Sequence, residues 1–150
     1  MKLWLLRHGQ AEPQAASDSQ RALTAVGRDE IRRSAAHLLA EPPQLLLVSP
    51  YLRAQQSAAL VAEALGRIAQ RSVPWLTPDS DPRQVLLELD RYAQQSILLV
   101  AHQPLLGELA GLLVHGHRQQ PLPLHTGSLV ELEGEYLLAG AMRLLAVHSP

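Results

Sequence analysis

Short runs of mainly apolar residues predict the strands of a central sheet. Three strong runs cover Lys2–Leu6, Leu45–Val48 and Ile97–Ala101, and each ends at polar or turn-forming residues. Apolar runs without alternation are typical of strands buried on both faces, as in a parallel sheet covered by helices. Two further strands are predicted near the end of the chain, over Ser128–Leu132 and Met142–Val147.

Apolar residues with helical spacing lie between these strands. They predict helices over Ala25–Ala40, Tyr51–Leu65, Pro82–Ala93 and Pro104–Val114. The segment Arg67–Asp81 is ambiguous, with a short strand predicted over Val73–Leu76. Because strands alternate with helices, we expect an α/β fold: a three-layer sandwich with a mostly parallel central sheet, at least one antiparallel strand and helices on both faces. The sequence contains no repeat or linker, and we predict a single domain over residues 1–150.

Composition narrows the functional classes. The chain has 150 residues, of which 47% are hydrophobic and 18% charged, as in a globular domain with a proper core. Its net charge of −1 gives no basic field for nucleic acid or a membrane surface, and we expect neither as a partner. The absence of cysteine excludes disulfides and thiolate catalysis. No apolar run has the length of a membrane span, and the first run is too short for a signal peptide, so we expect a cytoplasmic protein.

Basic and imidazole side chains stand where the three strong strands end. Arg7 and His8 follow the first strand, Arg53 lies one turn into the helix after the second, and His102 follows the third. Parallel strands end at one edge of the sheet, so these four groups should converge there. Such a pocket favours an anion, and arginine matches the oxygens of a phosphoryl group. Gly9 permits a sharp turn and the close approach of a ligand.

Three motifs resemble those of a known family, the histidine phosphatase superfamily, and most of all its small SixA-type phosphohistidine phosphatases. They are Arg7–Gly9, Ser49–Ser57 and His102–Gly107. The segment Ala16–Thr24, with Gly27 shortly after it, is also similar to a segment of the SixA-type members.

The resemblance implies a role for each of these residues. His8 would be the nucleophile that accepts the phosphoryl group, and Arg7, Arg53 and His102 would bind its oxygens. Arg21 would help to bind substrate at the rim of the site. The family also brings a loop corresponding to residues 126–128 close to the site. No metal or other cofactor is expected.

The substrate is suggested by two features that the sequence lacks. Larger members of the family protonate an alcohol leaving group with an acidic residue, and no carboxylate here matches that position clearly; the candidates are Asp79, Asp81 and Asp18. The segment Leu65–Gln84 is too short to form a lid over a small metabolite. An imidazole leaves with much less help than an alkoxide, so we expect a phosphatase acting on phosphohistidine of a phosphorelay or phosphotransfer protein.

Two other functions stay open at this point. One is a phosphomonoesterase that acts on a small phosphate ester, which would need a general acid such as Asp79. The other is a phosphate-dependent binding module without turnover, although His8 and His102 would be unnecessary for binding alone. A zinc site at His115, His117 and His125 is disfavoured because that loop has no acidic residue.

Overall fold

The computed structural model describes all 150 residues, which form six strands and four α-helices. The strands are β1 (Lys2–Arg7), β2 (Leu45–Val48), β3 (Ala69–Ser72), β4 (Ser96–Ala101), β5 (Leu129–Glu133) and β6 (Arg143–His148). The helices are α1 (Ala25–Ala35), α2 (Leu52–Leu65), α3 (Pro82–Leu89) and α4 (Leu105–His115). Two short 3₁₀ helices cover Asp18–Gln20 and Ala36–Leu38. None of the helices combines the length and the apolar composition that crossing a membrane would require.

All six strands belong to one mixed sheet in the order β3-β2-β4-β1-β5-β6. Strands β3, β2, β4 and β1 pair in parallel, whereas β5 is antiparallel to β1 and to β6. The predicted mostly parallel sheet with an antiparallel strand is therefore confirmed. Since β2, β4 and β1 are neighbours, their carboxyl ends lie side by side at one edge of the sheet.

The helices cover both faces of the sheet, as predicted. Alternate residues of β1 divide between two cores: Leu3 and Leu5 pack with α3 and α4, whereas Trp4 and Leu6 pack with α1 and α2. Every residue of β2 is buried, which accounts for its unbroken apolar run. The residues at the sheet edge therefore follow strands that are buried on both faces.

The ambiguous segment differs from the prediction. The third strand covers Ala69–Ser72 rather than Val73–Leu76. All four of its residues are exposed at the edge of the sheet, so it has no apolar pattern. Val73 and Leu76 instead pack into the core from the loop that follows. The other elements agree within a few residues, although α1 ends at Ala35 and continues only as a 3₁₀ turn.

Candidate active site

His8 is a neutral imidazole whose ring hydrogen is on Nδ1. It follows β1, and its backbone N–H donates to Ala101 at 3.0 Å. Its Nδ1 lies 2.7 Å from the carbonyl oxygen of Gly9, which can only accept, so Nδ1 carries the hydrogen. Arg53 Nε donates to the other nitrogen, Nε2, at 3.3 Å. Burial, opposed by the Gly9 carbonyl and reinforced by the nearby arginines, lowers the pKa of His8 to about 4. Its Nε2 is therefore unprotonated at neutral pH.

Arg53 is a buried guanidinium in the first turn of α2, only 4% exposed. Besides contacting His8, its Nη1 donates to the backbone oxygen of Asp18 at 2.7 Å, and its Nη2 to the Asp18 carboxylate at 3.2 Å. The ring of Tyr51 lies 5.0 Å from the guanidinium carbon, a distance typical of a cation–π contact. These contacts fix the guanidinium beside the unprotonated nitrogen of His8.

Arg7, the last residue of β1, is the second arginine of the site. Its Nη1 donates to the carbonyl oxygen of Leu124 at 2.8 Å. Its Nε is buried and has no hydrogen-bond partner. Burial lowers the pKa of Arg7, an effect that Glu30 opposes. A buried donor without a partner is costly to the folded chain.

His102 directly follows β4, and its ring centre is 5.1 Å from that of His8. Its Nε2 lies 2.7 Å from the hydroxyl oxygen of Ser49, whereas its Nδ1 is buried and unpartnered. Burial is the main cause that lowers the pKa of His102 to about 3, and the neighbouring His8 and Arg53 act in the same direction. The four groups at the three strand ends thus converge: two guanidiniums and two neutral imidazoles, with one unsatisfied nitrogen on Arg7 and one on His102.

Buried polar contacts hold the turn that carries His8. The hydroxyl of Ser57, on α2, accepts the N–H of Gly9 at 3.2 Å and donates to the carbonyl of Arg53 at 2.8 Å. This hydroxyl links the two segments that carry His8 and Arg53. From the other side, Gly127 N–H contacts the carbonyls of Arg7 at 3.1 Å and His8 at 2.9 Å. Residues 126–128 thus lie next to the site, as expected.

Gly9 is required for packing against α1. A Cβ at Gly9 would overlap the backbone of Gly27, and a Cβ at Gly27 would overlap the backbone of Gln10. The φ angle of Gly9 is not in the left-handed region, so a left-handed backbone conformation is not the reason for this glycine. The two glycines let the first turn of α1 approach the His8 turn closely.

Arg21 reaches the site through a carboxylate. Its Nη1 donates to Asp18 at 2.9 Å, and Asp18 in turn contacts Arg53. The side chain of Asp18 is 58% exposed and that of Arg21 is 29% exposed. The hydrogen bond from Arg21 is the largest cause that lowers the pKa of Asp18. Arg21 therefore lies at the rim, and Asp18 is a negative charge at the edge of a basic pocket. The role of Arg21 in binding substrate, which the resemblance implied, stays a prediction.

The chain is similar in sequence to proteins of a known family. Residues 3–76 match the model of the histidine phosphatase superfamily (branch 1). The phosphohistidine phosphatase SixA of Escherichia coli (strain K12) is 36% identical over 136 residues, which are 87% of this chain and 83% of that protein. The chain belongs to the histidine phosphatase superfamily.

Solved structures of other proteins agree with this fold. The structure of the protein histidine phosphatase SixA complexed with tungstate has a TM-score of 0.90 and 32% identity, and the match covers 100% of this chain and 97% of that one. A mycobacterial glucosyl-3-phosphoglycerate phosphatase complexed with VO3 has a TM-score of 0.74 and 19% identity, with 99% of each chain covered. The second likeness concerns the fold alone.

The carboxylates considered as a general acid have other contacts. Asp81 caps α3 by accepting the N–H of Arg83, and Asp79 accepts the hydroxyl of Thr77 at 3.0 Å. Neither is hydrogen-bonded to the four converging groups. Asp18 does reach Arg53, but its lowered pKa keeps it ionised and without a proton to give.

The histidines near α4 do not assemble a metal site. The rings of His115 and His117 lie 6.1 Å apart. No group of three or more His, Asp or Glu side chains in the structure is placed to share a metal ion. The prediction that the reaction needs no metal remains one for experiment.

Proposed function

We propose that this chain removes the phosphoryl group from phosphohistidine on a protein, through a transient phosphohistidine on His8. The observation that carries the proposal is the state of the His8 ring, with Nδ1 bound to the Gly9 carbonyl and Nε2 facing the Nε–H of Arg53. An unprotonated nitrogen beside a guanidinium fork is suited to attack a phosphoryl group that the fork binds. The relatives named phosphohistidine phosphatase SixA support the same activity.

In the first step, the lone pair of His8 Nε2 forms a bond to phosphorus while the substrate's P–N bond breaks. A substrate ring protonated at its other nitrogen leaves as neutral imidazole, taking the electron pair of the broken bond. Arg7, Arg53 and His102 bind the phosphoryl oxygens as charge shifts along the line of transfer. The phosphoryl group thus passes between two imidazole nitrogens of similar chemistry.

In the second step, water attacks the phosphorus of phosphorylated His8. The new P–O bond forms as the P–Nε2 bond breaks, its electron pair returns to His8, and dihydrogen phosphate is released. His8 is then neutral again, with the Nδ1 hydrogen still on the Gly9 carbonyl. The Gly9 contact holds the ring in one tautomer throughout the cycle.

The contacts of the carboxylates favour a P–N bond over a phosphate ester. An alcohol leaving group needs a proton donor, and Asp18, Asp79 and Asp81 offer none next to His8. The loop between β3 and α3 runs only from Val73 to Asp81, too short to enclose a small metabolite. Binding energy would then come from the phosphoryl group and from a partner's surface. A phosphohistidine exposed on a phosphorelay or phosphotransfer protein offers both, a phosphoryl group and a protein surface around it.

The test compares turnover on a histidine-phosphorylated phosphotransfer protein with turnover on a phosphoserine protein and on small sugar phosphates. We expect kcat/KM to be at least about 100-fold higher for the phosphohistidine protein, or about 3 kcal/mol of transition-state stabilisation. EDTA should leave the rate unchanged, because Arg7 and Arg53 supply the positive charge. An equal or better rate on a sugar phosphate would favour the phosphomonoesterase instead, and binding without turnover would favour the binding module.

A further inference from the structure

Ser49 is a fully buried hydroxyl between β2 and α2 that contacts the second histidine of the site. We propose that Ser49 is a positioning residue that fixes the tautomer of His102, so that a neutral imidazole presents Nδ1–H to the phosphoryl group. The kinetic consequence rests on the proposed function, whereas the tautomer itself does not.

The backbone of Ser49 is held firmly in place. Its N–H donates to the carbonyl of Val100 at 3.0 Å, which extends the pairing of β2 with β4 by one residue. Its carbonyl accepts the side-chain amide of Gln55, on α2, at 2.7 Å. Contacts with β4 and α2 thus fix the backbone of Ser49. The backbone of His102 is fixed by its place directly after β4.

The hydrogen bonds of the hydroxyl determine its direction. The backbone N–H of Tyr51 donates to Ser49 Oγ at 3.2 Å, and the only other partner is His102 Nε2 at 2.7 Å. If Nε2 carried a hydrogen and donated, the serine hydrogen would have no acceptor in a fully buried place. If Ser49 donates to Nε2, its hydroxyl hydrogen has an acceptor and its oxygen still accepts from Tyr51. Buried polar groups are nearly always paired, so the second arrangement is favoured.

The tautomer of His102 follows from that direction. Nε2 accepts from Ser49, so the hydrogen of the neutral ring is on Nδ1, the buried nitrogen without a partner. Its ring lies 5.1 Å from that of His8, the proposed nucleophile. A phosphoryl oxygen on His8 is the acceptor that Nδ1–H lacks. His102 can then stabilise the transferring group without becoming charged, and the lowered pKa of His102 agrees with a neutral ring.

The first experiment reads the tautomer directly. Long-range ¹H–¹⁵N correlation spectra of the uniformly ¹⁵N-labelled protein at neutral pH distinguish protonated from unprotonated ring nitrogens, and His102→Gln assigns the signals. We expect Nδ1–H in the wild type and a mixture of tautomers, or Nε2–H, in Ser49→Ala. Ser34→Ala removes another buried hydroxyl, one that contacts Gly127, and should leave the His102 signals in place. An Nε2–H tautomer in the wild type, or an unchanged ring in Ser49→Ala, would overturn the inference whatever the substrate proves to be.

The second experiment measures the consequence for catalysis. With the phosphohistidine protein as substrate, Ser49→Ala should lower kcat by about 10- to 100-fold, the loss of one oriented donor, with little change in KM. Tungstate should inhibit this variant more weakly than the wild type. Ser49→Thr keeps the hydroxyl and should restore the wild-type tautomer and most of kcat. Full activity in Ser49→Ala together with a changed tautomer would show that the orientation of His102 does not matter, and would contradict the positioning role.

Discussion

The site has an interior and a rim, which differ in burial and in how their side chains are held. The interior comprises His8, Arg53 and His102 with the hydroxyls of Ser49 and Ser57, none of them more than 6% exposed. The rim comprises Asp18 and Arg21, whose side chains are 58% and 29% exposed.

Interior groups are fixed by short contacts between different elements. Ser57 joins the His8 turn to α2, and Ser49 joins β2 to His102. The rim groups lie on one loop, and the ion pair between them is exposed and contributes little to stability. Asp18 also contacts the buried Arg53, which connects the rim to the interior. The interior can therefore impose one geometry on the phosphoryl group, which is common to every substrate. The rim can adjust to what is attached to it. Changes in the interior should act on the chemical step, and changes at the rim on affinity.

The largest effect is expected for His8→Ala, because His8 is the proposed nucleophile. Activity should fall by at least about 10⁴-fold, since the loss of a nucleophile removes the covalent path. Brief quenching of the wild type with labelled substrate should leave acid-labile, base-stable phosphate on the protein, and the variant should have none. His37→Ala changes a histidine that stacks on His148 away from the site, and should keep the label. Label on the His8→Ala protein would place the nucleophile elsewhere.

Arg53→Lys tests whether the interior depends on geometry or only on charge. An ammonium cannot contact His8 and a phosphoryl oxygen through adjacent nitrogens as a guanidinium does. We expect kcat/KM to fall by about 10- to 1000-fold, mainly through kcat. Arg33→Lys makes the same change on the exposed side of α1 and should have no effect. Near wild-type activity in a folded Arg53→Lys protein would show that the charge of this residue suffices and that its geometry does not matter.

The sequence predicted part of the fold and part of the interior of the site. The apolar runs before His8 and His102 identified buried parallel strands, and parallel strands end at one edge, so convergence followed from topology. The polar strand Ala69–Ser72 was missed because an exposed edge strand needs no apolar pattern. The roles of Ser49 and Ser57 were missed too, although both lie within a recognised motif. Which partner a hydroxyl meets depends on distances between segments that only the folded chain defines.

The smallest effect is expected at the rim, for Asp18→Asn. The carboxylate occupies a nitrogen of Arg53 that a phosphoryl oxygen would also use, and its negative charge opposes an incoming anion. The amide keeps the shape and loses the charge, while the backbone oxygen of Asp18 still accepts from Arg53. Inorganic phosphate should inhibit the variant at about two- to fivefold lower concentration, the scale of an exposed ion pair of at most about 1 kcal/mol. Asp29→Asn, which removes an exposed carboxylate paired with Arg32, is the matched control and should leave phosphate inhibition unchanged. Weaker inhibition of Asp18→Asn by phosphate would mean that the carboxylate chiefly holds Arg53 in place, and Asp18 would then belong with the interior despite its exposure.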